Sequence, residues 1–235
     1  EIMQIIMDEG VKIVFTSAGN PKTWTARLKD HGITVAHVVS SSRFAAKCEA
    51  AGVDAIVAEG FEAGGHNGRE ETTTLCLIPA VRRVTDLPLM AAGGIATGEG
   101  MLAAMALGAD GVQIGTLFAL AEESSAHEAF KLHCLALDEG DTKLLLKKLS
   151  PTRLAAGAFR TAVEEAEAAG ADAETMSRLL GKGRAKKGIF EGDLEEGELE
   201  IGQASALLSD IRPVAEIMDD LIRGYRRAAD KSYKL

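Results

Sequence analysis

A glycine-rich stretch from Glu59 to His66 carries the residues of this chain that are best suited to cofactor chemistry. It reads Glu-Gly-Phe-Glu-Ala-Gly-Gly-His and follows a short apolar run at residues 55–58. Gly64 and Gly65 allow the backbone to turn sharply and to approach a ligand closely, because a Cβ atom would block that approach. His66 ends the stretch with an imidazole, which donates or accepts protons near neutral pH. The stretch therefore predicts a cofactor site, with a loop histidine bonded to a backbone carbonyl as the structural alternative.

Two later loops that connect a strand to a helix resemble a divided phosphate-binding loop. Gly93 and Gly94 follow one apolar run, and Gly115 and Thr116 follow the next. Backbone N–H groups exposed by glycine, with a helix N-terminus behind them, bind a phosphate without a cationic side chain. The alternative is that these glycines only serve tight turns between strand and helix. Their occurrence together, after the last two predicted strands, favours a phosphate site.

Other charged groups give weaker signals. Glu59 and Glu62 flank the glycine-rich stretch, where a carboxylate could accept a hydrogen bond from the N–H edge of a heterocycle or simply be solvated. Residues 182–187 form a basic run. One interpretation is a contact with a phosphate or an acidic partner, and the other is a solvated surface. The histidines at 31, 37, 127 and 133 lack the spacing of metal ligands, and no metal site is predicted.

Strands and helices alternate along the first half of the chain. Continuous apolar runs predict strands at 11–15, 33–39, 53–58, 87–92 and 111–114, with a helix after each. Such alternation requires a parallel α/β sheet with right-handed crossovers. Five units fit either an open doubly wound sheet or most of a (β/α)8 TIM barrel. Because each glycine-rich loop follows a strand, as active-site loops do in barrels, we favour the barrel.

The remaining chain is predicted to be mainly helical. We predict a barrel portion over residues 1–149, a helical cap insertion with a charged connection over 150–203, and a C-terminal helical segment over 204–235 that packs back on the barrel. The region 122–148 is expected to be helix. The chain opens on Glu1 inside an amphipathic pattern. We therefore expect the units present to be the last five of the barrel, with the N-terminal units missing.

Composition limits the possible classes of function. The chain has 235 residues, 46% of them hydrophobic, and a formal net charge of −9. This charge argues against nucleic-acid binding, for which a basic face is expected, and no apolar run is long enough to predict a membrane partner. Three scattered cysteines suit a reducing, cytoplasmic compartment and give no disulfide framework.

Four ordered motifs identify a family resemblance. They are Glu-Ala-Gly-Gly-His-Asn-Gly at 62–68, Ala-Ala-Gly-Gly-Ile-Ala at 91–96, Ala-Leu-Gly-Ala-Asp-Gly-Val-Gln-Ile-Gly-Thr at 106–116 and Glu-Ser-Ser-Ala-His-Glu-Ala-Phe-Lys at 123–131. Together they resemble the nitronate monooxygenase, or 2-nitropropane dioxygenase-like, family. That family includes the flavin-dependent type II enoyl-acyl-carrier-protein reductases. The resemblance implies an FMN-binding (β/α)8 barrel with an inserted helical cap.

The resemblance also assigns site residues. It implies that His66 is the catalytic histidine and that Glu59 stands near the flavin ring, where many members carry glutamine. The residues expected to bind FMN are Glu59, Gly64, Gly65, Gly93, Gly94, Gln113, Ile114, Gly115 and Thr116, the last four at its phosphate. Since the family's first three strands also contact flavin, we expect residues 1–235 alone to hold FMN poorly.

Within the family, the turn at 18–21 (Ala-Gly-Asn-Pro), Glu59 and the Thr72-Thr73 pair resemble the reductase branch. We therefore predict an enoyl-acyl-carrier-protein reductase of fatty acid biosynthesis, in which NADH or NADPH reduces FMN and FMN reduces an acyl-thioester substrate. Expected partners are acyl carrier protein and a second copy in a homodimer. The alternatives are a nitronate monooxygenase, in which His66 abstracts the α-proton of a nitroalkane, and a non-catalytic flavin-binding scaffold.

Overall fold

The computed structural model describes residues 2–231. Its strands are β1 (Ile13–Thr16), β2 (Thr34–Val39), β3 (Ala55–Glu59), β4 (Gly65–His66), β5 (Leu89–Ala92), β6 (Gly111–Gln113), β7 (Thr142–Leu145) and β8 (Thr152–Ala155). Its α-helices are α1 (Ile2–Asp8), α2 (Thr25–Asp30), α3 (Ser42–Ala50), α4 (Thr74–Arg82), α5 (Gly98–Ala106), α6 (Thr116–Ala119), α7 (Glu128–Leu135), α8 (Ala158–Ala168), α9 (Ala173–Leu180) and α10 (Val214–Ala229). Short 3-10 turns occupy Pro21–Thr23 and Gln203–Leu207, and a π-helical turn occupies Lys186–Phe190.

Strands β1, β2, β3, β5 and β6 form one parallel sheet in that order. Each strand therefore pairs with the next parallel strand along the chain, and the order never reverses. A doubly wound sheet requires such a reversal, whereas consecutive units of a barrel do not. The prediction of consecutive βα units of a (β/α)8 barrel is confirmed.

One face of this sheet carries the main hydrophobic core. Alternate strand residues such as Val35, Ile56 and Leu89 pack in a single cluster with residues of α2, α3, α4 and α5. Because side chains alternate between the two faces of a strand, Glu59 points to the face opposite Ile56 and Ala58. Helices on a single face are what a barrel wall requires, and the arrangement leaves Glu59 on the inner side.

A second, antiparallel sheet has the order β4-β8-β7. Its presence makes the predicted helix over 122–148 wrong beyond Leu135, where α7 ends. The leucines and lysines of 143–148 have good helix propensity, but the turn at 138–141 places Gly140 at φ +88° and redirects the chain into β7. Burial of Leu145 and Leu154 in a common cluster then outweighs local propensity.

The C-terminal helix packs on the barrel through a glycine contact. A Cβ atom on Gly98, at the start of α5, would lie 2.1 Å from the Tyr225 nitrogen, so only glycine allows α10 to come this close. Ile217 and Leu221 of α10 join a cluster with Leu117 of α6. The pairing of β7 with β8 crosses the boundary predicted between residues 149 and 150, so the barrel portion and the cap share one sheet.

Within residues 2–231, no helix is both long and apolar enough to cross a bilayer.

Candidate active site

The carboxyl ends of β3, β5 and β6 meet at a small cavity of about 100 Å³. Most of the predicted cofactor residues line it: Glu59, Gly64, Gly93, Gly94, Gln113, Gly115 and Thr116. Parallel strands end at the same edge of a sheet, so loops far apart in sequence converge here. We call this site the glycine cradle.

Glycine is required at several positions of the cradle. Gly93 has a φ of +93°, and a Cβ atom there would lie 2.6 Å from the carbonyl oxygen of Gly60. Gly94 has a φ of +72°, where a Cβ atom would press on the side chain of Glu62. Gly115, by contrast, would meet nothing within 4 Å. The first two glycines hold the loop shape, and Gly115 leaves its backbone open to the cavity.

The donors around the glycine cradle suit a phosphate group. The lining includes four glycines, Thr116 and Gln113, with no lysine or arginine among the described lining residues, and its one acidic residue is Glu59, which burial leaves partly protonated at neutral pH. Thr116 begins α6, so the first N–H groups of that turn have no intrahelical partner. Backbone donors of this kind bind a dianion by close approach, which a Cβ atom would prevent. The residues present therefore fit the phosphate of FMN.

The chain returns from the cap to cover the cradle. Gly202 donates its backbone N–H to Thr116 Oγ1 at 3.1 Å, and Gln203 donates its N–H to the Glu62 carbonyl oxygen at 2.9 Å. Gly64 lies directly beneath, where a Cβ atom would be 2.4 Å from the Ile201 carbonyl carbon. We call residues 199–203 the return segment. It fixes one wall of the site.

A larger cavity of about 520 Å³ adjoins the cradle and shares Glu59 with it. Its lining combines polar groups near the strand ends with apolar side chains of α3. The lining residues include His37, Phe44, Lys47, Glu59, His66 and Asn67. We call this the histidine cavity. Its volume lies within the range of ordinary ligand pockets.

His66 is held by the second sheet. Strand β4 pairs with β8, with Gly65 opposite Arg153 and His66 opposite Thr152. Asn67 continues the contact by donating its N–H to the Pro151 carbonyl oxygen at 2.8 Å. The imidazole of His66 remains exposed at the cavity. The backbone of the catalytic candidate is thus fixed while its ring stays free to meet a ligand.

Arg153 ties the glycine-rich stretch to this sheet. Its side chain is 2% exposed. Both Nε and Nη2 donate to the Phe61 carbonyl oxygen, at 3.1 and 2.6 Å, and Nη1 donates to Thr142 Oγ1 at 3.3 Å. The guanidinium also stacks on the Phe61 ring, 4.8 Å from its centroid. One buried side chain therefore joins β7, β8 and the loop that precedes His66.

Asn67, which lines the histidine cavity, has an unpaired buried acceptor. Its Nδ2 donates to the carbonyl oxygens of Ala63 and Gly65 at 2.9 and 3.0 Å, which fixes the orientation of the amide. Its Oδ1 is buried and has no hydrogen-bond partner among the described residues. An orphaned buried acceptor is costly unless a ligand donates to it.

Burial raises the pKa values of several carboxyls around the site. It raises the pKa of Glu59 to about 7, so this group is partly protonated at neutral pH. Burial also raises the pKa of Glu198 to about 7, assisted by the Glu200 charge and partly offset by Arg184. Burial raises the pKa of Glu200, and the nearby His66 partly offsets the rise. Carboxyls that exchange protons near neutrality are typical of functional sites.

Two predicted groups lie elsewhere. The Ile114 side chain packs against the core clusters and does not line the cradle. Glu62 does not face a ligand, because its carboxylate accepts hydrogen bonds from the Thr74 N–H, at 3.0 and 3.1 Å, and from its hydroxyl at 3.0 Å. It caps α4 instead. Gly65 is buried against the Glu200 carboxylate beside His66.

The basic run over 182–187 is partly structural. Arg184 donates to the carbonyl oxygens of Leu179, Leu180 and Glu196 and stacks on Phe159. Lys186 forms an ion pair with Glu191. Because these side chains already have partners within the chain, fewer positive charges are available to a phosphate or an acidic protein than the sequence indicates.

No group of His, Cys, Asp and Glu within the described residues has the arrangement of a metal site.

Sequence reasoning missed several residues of the site. His37 lies on β2, where burial lowers its pKa and its Nδ1 is 2.7 Å from Thr16 Oγ1. Its place in the last half of a parallel strand was a usable signal. Glu200 and Gly202 come from a segment more than 130 residues after His66, and no local pattern connects them. Phe44 and Lys47 look like ordinary surface residues of α3.

Comparison with known proteins places these features in context. The family model for nitronate monooxygenase matches residues 1–224. A nitronate monooxygenase of Paraburkholderia phytofirmans is 31% identical over 245 residues, covering 98% of this chain and 65% of the relative. A dehydrogenase of Rhodococcus jostii that acts on a hydroxy-methyl-oxo-octahydroindene-carboxyl-CoA is 27% identical, covering 94% and 72%. The structure of FabK from Thermotoga maritima superposes with a TM-score of 0.91 at 36% identity, covering 97% and 72%.

The matches span only part of the relatives. The chain aligns with 41% of the length of one Staphylococcus aureus relative and with 72% of the Rhodococcus relative.

Proposed function

The chain belongs to the nitronate monooxygenase family, and on that premise we propose that the protein is an FMN-dependent oxidoreductase, specifically an enoyl-acyl-carrier-protein reductase. NADH or NADPH is the proposed reductant. The observation that carries the proposal is the connection at Glu59 between the glycine cradle and the histidine cavity. A phosphate site and a proton-exchanging pocket that share one wall suit a flavin nucleotide and a substrate held side by side.

The choice of the reductase rests on two similarities. FabK is a type II enoyl-acyl-carrier-protein reductase, and 97% of this chain superposes on it. The Rhodococcus relative is named for a reaction on a CoA thioester. Both support a thioester substrate for the histidine cavity, whose lining combines Phe44, Val38 and Val39 with polar groups.

The chain's own residues then have distinct tasks. The cradle glycines and Thr116 hold the phosphate of FMN. When bound there, FMN would supply the hydride chemistry that links NAD(P)H to the β-carbon of the enoyl thioester. His66 supplies the proton that the α-carbon gains, so that the double bond is reduced by one hydride and one proton. Glu59 exchanges a proton near neutrality beside the flavin site.

A nitronate monooxygenase is the second candidate. The family model and the Paraburkholderia relative carry that name. The exposed His66 imidazole, with no hydrogen-bond partner among the described residues, also fits a base that removes the acidic α-proton of a nitroalkane. The carrier protein, the homodimer and the cytoplasmic location stay predictions.

The test is His66→Ala in the full-length flavoprotein. Loss of a positioned proton donor lowers turnover about 10²- to 10⁴-fold. We expect this loss in the reduction of an enoyl thioester, while reduction of the flavin by NAD(P)H stays near the wild-type rate. A wild-type protein that turns over nitronate and oxygen, but reduces no enoyl thioester, would transfer the assignment to the monooxygenase.

A further inference from the structure

Helix α3 presents an exposed basic pair at the mouth of the histidine cavity. Lys47 lines the cavity and is exposed, and Phe44 beside it is 41% exposed. Arg43 lies four residues before Lys47, which places the two cationic side chains on neighbouring parts of one helix surface. Within the described residues, neither Arg43 nor Lys47 forms an ion pair, although many other lysines and arginines of the chain do.

The cavity has one strongly cationic side chain at its edge. Lys47 is the only lysine or arginine among the described residues that line it. These 235 residues carry a net charge of −9, which repels an anionic ligand. A local positive pair therefore matters most where an anion has to approach. Inside the cavity, the raised pKa of Glu59 reduces the negative charge that a ligand meets.

The lining fits a ligand with an apolar end and an anionic end. Phe44 and Val38 give the cavity apolar lining, while Lys47 lines it at an exposed position and Arg43 lies one helical turn away on α3. Asn67, Ser40 and Ser150 add polar groups to the lining between the two ends. A thioester carried on pantetheine phosphate has these groups in this order: acyl chain, amides, phosphate.

We propose that Lys47, supported by Arg43, binds the phosphate ester of a pantetheine-linked thioester whose acyl end lies against His66. This assignment rests on the proposed reductase function and adds the feature by which the substrate's carrier is recognised. The phosphate belongs either to coenzyme A or to the prosthetic arm of a carrier protein. Both carriers present the same phosphopantetheine chemistry to α3.

The experiment compares substrates with and without the phosphate, using the full-length flavoprotein. An enoyl-CoA and the same acyl group on N-acetylcysteamine are assayed with wild type, Lys47→Glu and Lys47→Arg. One lost charge-assisted contact corresponds to about a tenfold change in affinity. We expect Lys47→Glu to raise KM for the enoyl-CoA about tenfold relative to the N-acetylcysteamine thioester, and Lys47→Arg to preserve the wild-type ratio.

Lys12→Glu is the matched control. Lys12 is also exposed and its substitution changes the net charge by the same amount, but it precedes β1 at the opposite end of the sheet. We expect this variant to keep the wild-type ratio of KM values. Equal shifts in Lys47→Glu and Lys12→Glu would assign the effect to overall charge and overturn the proposal. So would a rise in KM for NADPH alone in Lys47→Glu, because the phosphate recognised would then be that of the nucleotide.

A binding measurement keeps this proposal separate from the proposed reaction. Calorimetry with phosphopantetheine and with pantetheine tests phosphate recognition without turnover. Tighter binding of phosphopantetheine that disappears in Lys47→Glu supports the proposal even if no thioester is reduced. Equal binding of the two compounds to wild type overturns it even if the reductase is active. Repeating the kinetics with an enoyl carrier protein shows whether the Lys47 effect extends from coenzyme A to the carrier-bound arm.

Discussion

Replacing Gly64 with alanine tests whether the return segment holds the glycine cradle closed. The added Cβ atom would lie 2.4 Å from the Ile201 carbonyl carbon and 2.6 Å from the Gly202 nitrogen. Both are backbone atoms, so no side-chain rotation relieves the clash and the return segment has to move. Overpacking of this kind costs about 1 to 3 kcal/mol.

The movement also breaks hydrogen bonds. The return segment donates from Gly202 to Thr116 Oγ1 and from Gln203 to the Glu62 carbonyl oxygen. Each such bond contributes about 0.5 to 1.5 kcal/mol. Adding these terms, we expect Gly64→Ala to lower the free energy of unfolding by about 2 to 6 kcal/mol. FMN affinity should fall as well, because Thr116 lines the cradle.

The assay is urea unfolding of the full-length protein followed by circular dichroism, together with FMN titration of the apoprotein. Gly100→Ala is the control, since its Cβ atom would meet no atom closer than 3.5 Å and it lies within α5. Alanine in a helix is favoured over glycine by about 0.5 to 1 kcal/mol, so this variant should be unchanged or more stable. A Gly64→Ala protein with wild-type stability and FMN affinity would refute the role of the return segment.

Two further substitutions probe the buried charges. Arg153→Met leaves the Phe61 carbonyl oxygen without its donors and should lower the free energy of unfolding by about 2 to 4 kcal/mol. Arg153→Lys should have a stability between those of wild type and Arg153→Met. Thermal unfolding midpoints measure this, and an unchanged midpoint in Arg153→Met would contradict the prediction. Burial raises the pKa of Glu59 from 4.5 to about 7, so its contribution to stability is fully present below pH 4.5 and is lost as the pH rises through 7. Between pH 4.5 and 8, the wild-type protein should therefore lose about 3 kcal/mol more of its free energy of unfolding than Glu59→Gln does. Urea unfolding at each pH measures this difference, and parallel pH profiles of the two proteins would contradict the assigned pKa.

The barrel was predictable because its signals are local. Continuous apolar runs, each followed by a glycine-bearing join, locate β2, β3 and β5 to within two residues of the structure. The second sheet was not predictable in this way. The leucine- and lysine-rich segment of β7 has a helical composition, and only pairing with β8 and burial of Leu145 make it a strand. That information lies in tertiary contacts, which a local pattern does not contain.

In the candidate site, too, residues with local signals were predictable and residues placed by tertiary contacts were not. The glycines of the cradle were predictable, because positive φ values and close approach restrict positions such as Gly93 to one residue type. Charges were harder to interpret from residue type alone. The sequence left Glu62 as either a ligand for a heterocycle or a solvated group, and the structure shows that it caps α4. It left the basic run 182–187 as either a phosphate contact or a solvated surface, and the structure shows that Arg184 donates to carbonyl oxygens of its own chain. Lys47 and Arg43 gave no sequence signal, because only the fold places α3 at the mouth of the histidine cavity.

The central claim is that the glycine cradle and the histidine cavity together hold FMN beside an enoyl thioester. An anaerobic titration of the full-length protein tests it most directly, by following the absorbance of oxidised flavin as NADH or NADPH is added. We predict that the absorbance bleaches and that an enoyl thioester then restores it. A flavin that neither nucleotide reduces, or a colourless protein that takes up no FMN, would contradict the account.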